Sequence, residues 1–150
     1  MTGRTDLVVA EGVTKAFGDN RVLRGVSFRV PSGSATTVIG PSGSGKTTLL
    51  RSLNALDVPD AGTVSIAGVD VDFARPVSKD LLGRYRAQSA MVFQSHNLFP
   101  HKTVLQNVME GPVVAQRRQS ADVRAEALDL LGRVGLADKC DEYPHQLSGG

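Results

Sequence analysis

The sequence predicts an α/β fold arranged around a glycine-rich loop, with a sheet-forming first part and a helical second part. Three observations carry this prediction. Runs rich in β-branched residues, punctuated by Gly and Pro, occupy the chain to about residue 93. The stretch GPSGSGKTT stands between a short apolar run and the start of a helical pattern. Beyond residue 93 the strand signals cease and apolar residues recur at helical spacing.

The elements follow in order. LVVAEGV and VLRGVSFRV read as strands, with FGDN as the turn between them and PSGS as a second turn. The short run ATTVI is expected as a third strand leading into the glycine-rich loop. From Lys46 the spacing becomes helical: Leu49, Leu53 and Leu56 form one apolar face of about two turns, closed by DVPDAG. TVSIAGVDVDF alternates Val64, Ile66, Val69, Val71 and Phe73 around Ala67-Gly68, a hairpin pattern. Ser78 can cap a helix carrying Leu81, Leu82 and Tyr85, and AMVF is expected as a buried strand. Thr103 with Gln106 forms a T-x-x-Q capping box before Val104, Leu105 and Val108. Ser120 precedes a helix with Val123, Ala127, Leu130 and Val134 on one face, ended by Gly135. No internal repeat is present.

Composition limits the function only loosely. The 150 residues have room for one domain or part of one. A net charge of +2, from 17 basic against 15 acidic residues, argues for neither a nucleic-acid partner nor a membrane-surface partner. The single cysteine, Cys140, excludes an internal disulfide, suits a reducing compartment and is read as a packing residue. The N-terminus lacks the apolar region of a secretory signal, and no run approaches the roughly 18 apolar residues of a spanning helix.

The glycine-rich loop carries the chemistry. Gly40 to Thr47 fits G-x-x-x-x-G-K-[ST], with an expected strand before it and a helix after it. Gly40, Gly43 and Gly45, with Pro41, Ser42 and Ser44 between them, allow successive backbone N–H groups to turn around a phosphate. The helix that starts there adds unpaired N–H groups and its positive dipole end. Lys46 brings a point charge to the β- and γ-phosphates, the Thr47 hydroxyl is suited to Mg²⁺, and Thr48 offers a second hydroxyl. This P-loop predicts nucleotide binding but not the process it drives, because kinases, GTPases, helicases and transport ATPases share it.

Two further stretches narrow the choice. Gln94 follows the apolar run AMVF and stands 48 positions after Lys46, and LSGG occupies residues 147 to 150. Each alone is an ordinary polar or linker feature. In this order and spacing, from about residue 7 to residue 150, the three resemble the ATP-binding subunit of ABC transporters. The P-loop is similar to that family's Walker A motif, Gln94 to its Q-loop, and LSGG to the start of its LSGGQ signature. MVFQSHNLFPHKTVLQNVMEGPV and YPHQLSGG resemble the polar amino-acid importers in particular, and EGPV is similar to cystine-type members.

The resemblance implies a P-loop ATPase with an antiparallel β-part and a mixed core sheet, followed by a helical part. On that reading residues 1–150 are one incomplete domain: a β-rich part to about 93, then the Q-loop and helices from about 94 up to the signature. Phe17 takes the place of the aromatic that stacks on adenine. Lys46 and Gln94 would serve catalysis, and Thr47 with Gln94 would hold Mg²⁺. Ser148, Gly149 and Gly150 would cap the γ-phosphate of ATP held by a second copy of the subunit. The segment from Ser95 to Val108 would face integral membrane permease subunits, which hold the protein at the cytoplasmic face of the membrane. A substrate-binding protein would be an indirect partner, and no nucleic acid is expected. His96, His101 and His145 are read as loop surface residues.

The family pattern also requires an apolar strand ending in Asp-Glu and a later His, both downstream of the signature. Neither occurs in the 150 residues. The chain is therefore expected to be an N-terminal fragment with an incomplete core, marginal stability and little ATPase activity. The alternatives are an ABC-type ATPase for another substrate or without a permease, and a nucleotide-binding remnant. A GTPase would need a base-specificity motif such as N-K-x-D, which is absent.

Overall fold

The computed structural model describes residues 5–95 and 97–147, and the chain divides into two compact units, Met1–Val92 and Phe93–Gly150. The first unit holds β1 (Asp6–Phe17), β2 (Asn20–Pro31), α1 (Lys46–Leu53), β3 (Ala61–Ile66), β4 (Val69–Asp72) and α2 (Lys79–Arg86). Its sheet has the order β2-β1-β3-β4 and is antiparallel throughout. Ala67 and Gly68 both have positive φ, 50° and 80°, and join β3 to β4 in the tight turn that suits strand twist. Alternation then sends Val64, Ile66 and Val71 into the core with Ala10, Val13 and Leu23, and Phe73 joins them just past β4. Strands β1 and β3 approach so closely that Gly62 is obligatory. A Cβ there would lie 2.7 Å from Gly12 O, on a backbone with φ of 105°.

Two helices cover this core. Tyr85 on α2 is fully buried, meets Phe73 edge-on at 6.0 Å, and donates its hydroxyl to Leu53 O at 2.5 Å. Burial pushes its phenol well above the ordinary range. Ser78 caps α2 as the sequence predicts, accepting from Leu81 N. Helix α1 ends earlier than the leucine spacing suggests. Ala55 turns left-handed at φ 51°, its N–H bonds to Ser52 O, and Leu56 N–H bonds to Arg51 O. This double closure leaves Leu56 outside the helix and 43% exposed, while Ala55 takes the buried place. Arg51 donates to both oxygens of Asp57 at 2.7 and 3.1 Å, which fastens the turn.

The two other strands expected from the sequence are not formed. Residues 35–39 and 90–93 carry no ladder, and Ile39 and Val92 are 86% and 93% exposed. A strand exists only as one of a pair, and neither segment finds a partner among the described residues.

The second unit contains α3 (Val104–Glu110), a π-helical turn Gly111–Ala115, α4 (Ser120–Arg133) and two short 3₁₀ turns, Ala137–Lys139 and Pro144–Gln146. The Thr103–Gln106 capping box is present with both reciprocal bonds. Val104, Leu105, Ala127 and Leu131 form the core, with Leu136 and Cys140 packed against it. The buried face of α4 is Val123, Ala127 and Leu131, whereas Leu130 and Val134 are 45% and 69% exposed. The i, i+4, i+8 stripe wins because Gly135 ends the helix with a left-handed turn that brings Leu136 back against this same cluster. Ser120 lies inside α4 rather than before it, and Gln119 is the capping position without a side-chain bond.

Candidate functional site

Residues 40–45 form a loop that runs into the first turn of α1. The N-cap is Gly45 at φ 91°, with no side-chain cap bond. A Cβ at Gly45 would meet Val22 Cγ1 at 3.0 Å, so strand β2 sets how closely the loop can lie against the sheet. The N–H groups of Gly43, Gly45, Lys46, Thr47 and Thr48 donate to no protein group among the described residues. Lys46 folds into the same loop, its ammonium donating to Gly40 O at 2.8 Å and Pro41 O at 2.7 Å, with Ser44 Oγ at 3.5 Å. Only neutral oxygens surround it, so a full positive charge stands beside five free donors. That is the electrostatic definition of an anion site.

Ser42 to Thr48, together with Phe17 and Val22, line one groove of about 330 Å³. Phe17, at the end of β1, is half exposed at its rim. Thr47 is an exposed residue whose hydroxyl has no hydrogen-bond partner among the described residues, which suits it to be one oxygen ligand of a hard cation. No group of three or more His, Cys, Asp or Glu side chains converges among the described residues. A cation here would therefore be carried largely by a ligand's own phosphates.

The other site residues expected from the sequence lie elsewhere in the chain. Gln94 is exposed on a bend of the second unit. Ser148, Gly149 and Gly150, like His96, lie outside the described residues. His101 is exposed and edge-on to Phe99, and His145 is exposed and stacked on Tyr143. Sequence reasoning missed one lining residue, Val22 under the loop. Nothing in its local pattern marks it, because its contact is with Gly45, far along the chain.

The ABC transporter family model matches residues 23–150. The chain is 47% identical over 144 residues to the L-cystine import ATP-binding protein TcyC of Bacillus subtilis (strain 168), covering 96% of this chain and 58% of that protein. It is 45% identical over 145 residues to the L-cystine transport system ATP-binding protein TcyN of Escherichia coli (strain K12), covering 95% and 58%. The octopine permease ATP-binding protein P of Agrobacterium tumefaciens (strain Ach5) is 47% identical over 150 residues, covering 95% and 57%. Among solved structures, cbiO1 from Clostridium perfringens, part of the ABC transporter complex cbiONQ, matches with a TM-score of 0.80 at 25% identity, over 95% of this chain and 56% of that one. The chain thus spans somewhat more than half the length of the relatives it matches. With the family match running from β2 through the phosphate loop to the last residue, the chain belongs to the ABC transporter family.

Proposed function

We propose that this chain is the ATP-binding part of an importer subunit that powers uptake of polar amino acids, cystine-type solutes above all. The observation that carries the reading is the Lys46 ammonium held among five free N–H donors in a groove rimmed by Phe17. Lys46 and the loop N–H groups bind the phosphates, and the Phe17 ring receives the adenine face. Mg²⁺, when bound, neutralises phosphate charge, and the Thr47 hydroxyl would supply one of its oxygen ligands. Ser148, Gly149 and Gly150 belong to the contact with ATP on a second copy. Residues 95–108 meet the permease subunits that keep the protein at the cytoplasmic face of the membrane. Among the described residues no helix is long and apolar enough to cross a membrane. The amino-acid class rests on the relatives' names.

The sequence contains no apolar strand ending in Asp-Glu to activate water, so binding with little turnover is expected of these 150 residues. Calorimetric titration of Mg-ATP into the chain tests the reading. Saturable binding is expected, weakened at least about a hundred-fold by Lys46→Ala, because a charged contact to phosphate is lost. Equal affinity of the two proteins would sink the proposal.

A further inference from the structure

The end of β1 is held by a clamp that belongs to none of the motifs described above. Asp60 Oδ2 accepts from Ala16 N–H at 2.6 Å, and Oδ1 accepts from the Lys15 ammonium at 3.1 Å. The N–H of Asp60 donates in turn to Thr14 O at 2.9 Å. Lys15 also reaches Val58 O at 2.7 Å, and its ammonium stands 5.4 Å from the centre of the Phe17 ring. Three successive residues of β1, Thr14 to Ala16, are thus tied to the loop before β3. The next residue is Phe17, which lines the phosphate groove.

The burial of these groups separates their roles. The Lys15 side chain is 16% exposed and the Phe17 ring half exposed, so the cation is anchored while the ring remains open to a ligand. Neither Lys15 nor Asp60 lines the groove. A ring at the tip of a hairpin loses rotamer and backbone freedom when a planar ligand stacks on it, and that loss subtracts from affinity. A strand end already fixed by four hydrogen bonds, with an ammonium above the ring, has lost most of that freedom in advance.

We infer that Asp60 is a positioning residue for the base: it fixes the end of β1 so that Phe17 is set to stack on a purine, without touching the phosphates. The inference rests on the nucleotide reading above. It predicts that Asp60 affects ligands that carry a base and leaves those without one unaffected.

The test measures affinity for Mg-ATP and for inorganic tripolyphosphate in the unaltered chain, Asp60→Ala, Phe17→Ala and the double variant. Asp60→Ala is expected to weaken ATP about five-fold, a part of what a base–aromatic stack supplies, and to leave tripolyphosphate unchanged. In the Phe17→Ala background the Asp60 substitution should cost nothing more, the non-additivity of residues acting through one contact. Asp60→Asn keeps an acceptor for Ala16 but loses the charge facing Lys15, and should fall between; it gives the same answer if the alanine variant fails to fold. Equal losses for ATP and tripolyphosphate, or fully additive losses, would mean that Asp60 only maintains the fold and would overturn the inference. So would ATP affinity that ignores the substitution while the unaltered chain binds both ligands. If the unaltered chain binds neither, the nucleotide reading falls and this inference falls with it.

Discussion

The starts of α1 and α3 put the same backbone feature to opposite uses. At α3 every early N–H is satisfied. Val104 bonds to Glu142 O, Leu105 to Cys140 O, and Gln106 and Asn107 to the Thr103 side chain and carbonyl. At α1 the capping position is a glycine with no side chain to offer, and five neighbouring donors beside a lysine find no partner among the described residues. A helix start becomes an anion site when its own cap is withheld; capped, it becomes a structural joint.

The capped end can be broken most severely at Asn107. Its amide donates to the carbonyls of Phe99, Lys102 and Thr103 and accepts from Phe99 N–H, so one side chain clasps the whole loop before α3. Asn107→Ala should lower stability by about 2 kcal/mol in urea unfolding, since it takes the partner from Phe99 N–H and Lys102 O and unties the loop. Thr103→Ala removes one half of the capping box and should cost about 1 kcal/mol by the same measurement. Neither substitution should change the affinity for Mg-ATP; a parallel loss of binding would erase the distinction between joint and site.

The smallest effect is one of pH on the clamp behind the site. The Ala16 N–H first, and then Lys15, hold the Asp60 carboxyl below its usual range, and the Arg51 guanidinium does the same for Asp57. Both folded values lie below the unfolded ones. Their stabilisation is therefore complete above the ordinary carboxylate value of about 4 and fades as pH falls through the lowered values. Urea midpoints should decline below about pH 4, and Asp60→Asn should flatten part of that decline.

What the sequence made legible was local. The Ala67-Gly68 turn and the Thr103–Gln106 box each carry their cause within a few residues and formed as expected, while the Gly40–Thr47 loop gained its expected helix but not the strand before it. Residues 35–39 and 90–93 have equally good strand composition, yet a strand depends on a partner that composition does not reveal. Leu130 and Leu131 are neighbours of the same residue type, and only the return of the chain at Leu136 decides which is buried. Asp60 was illegible for the same reason, because its work is done at Ala16, 44 residues away.

The phosphate loop has one stiff arm and one soft arm. Downstream, α1 is anchored by buried Leu49, Ser52 and Ala55. Upstream, residues 35–40 donate no backbone hydrogen bond among the described residues, and Ile39 lies almost fully in solvent. Such a segment sits at the low end of local stability. Within these 150 residues, an anion gripped by the loop must also hold this arm still, so part of its binding energy is consumed in ordering the chain. Whatever pairs with residues 35–39 would remove that cost beforehand, and would tighten the grip on phosphate without touching it.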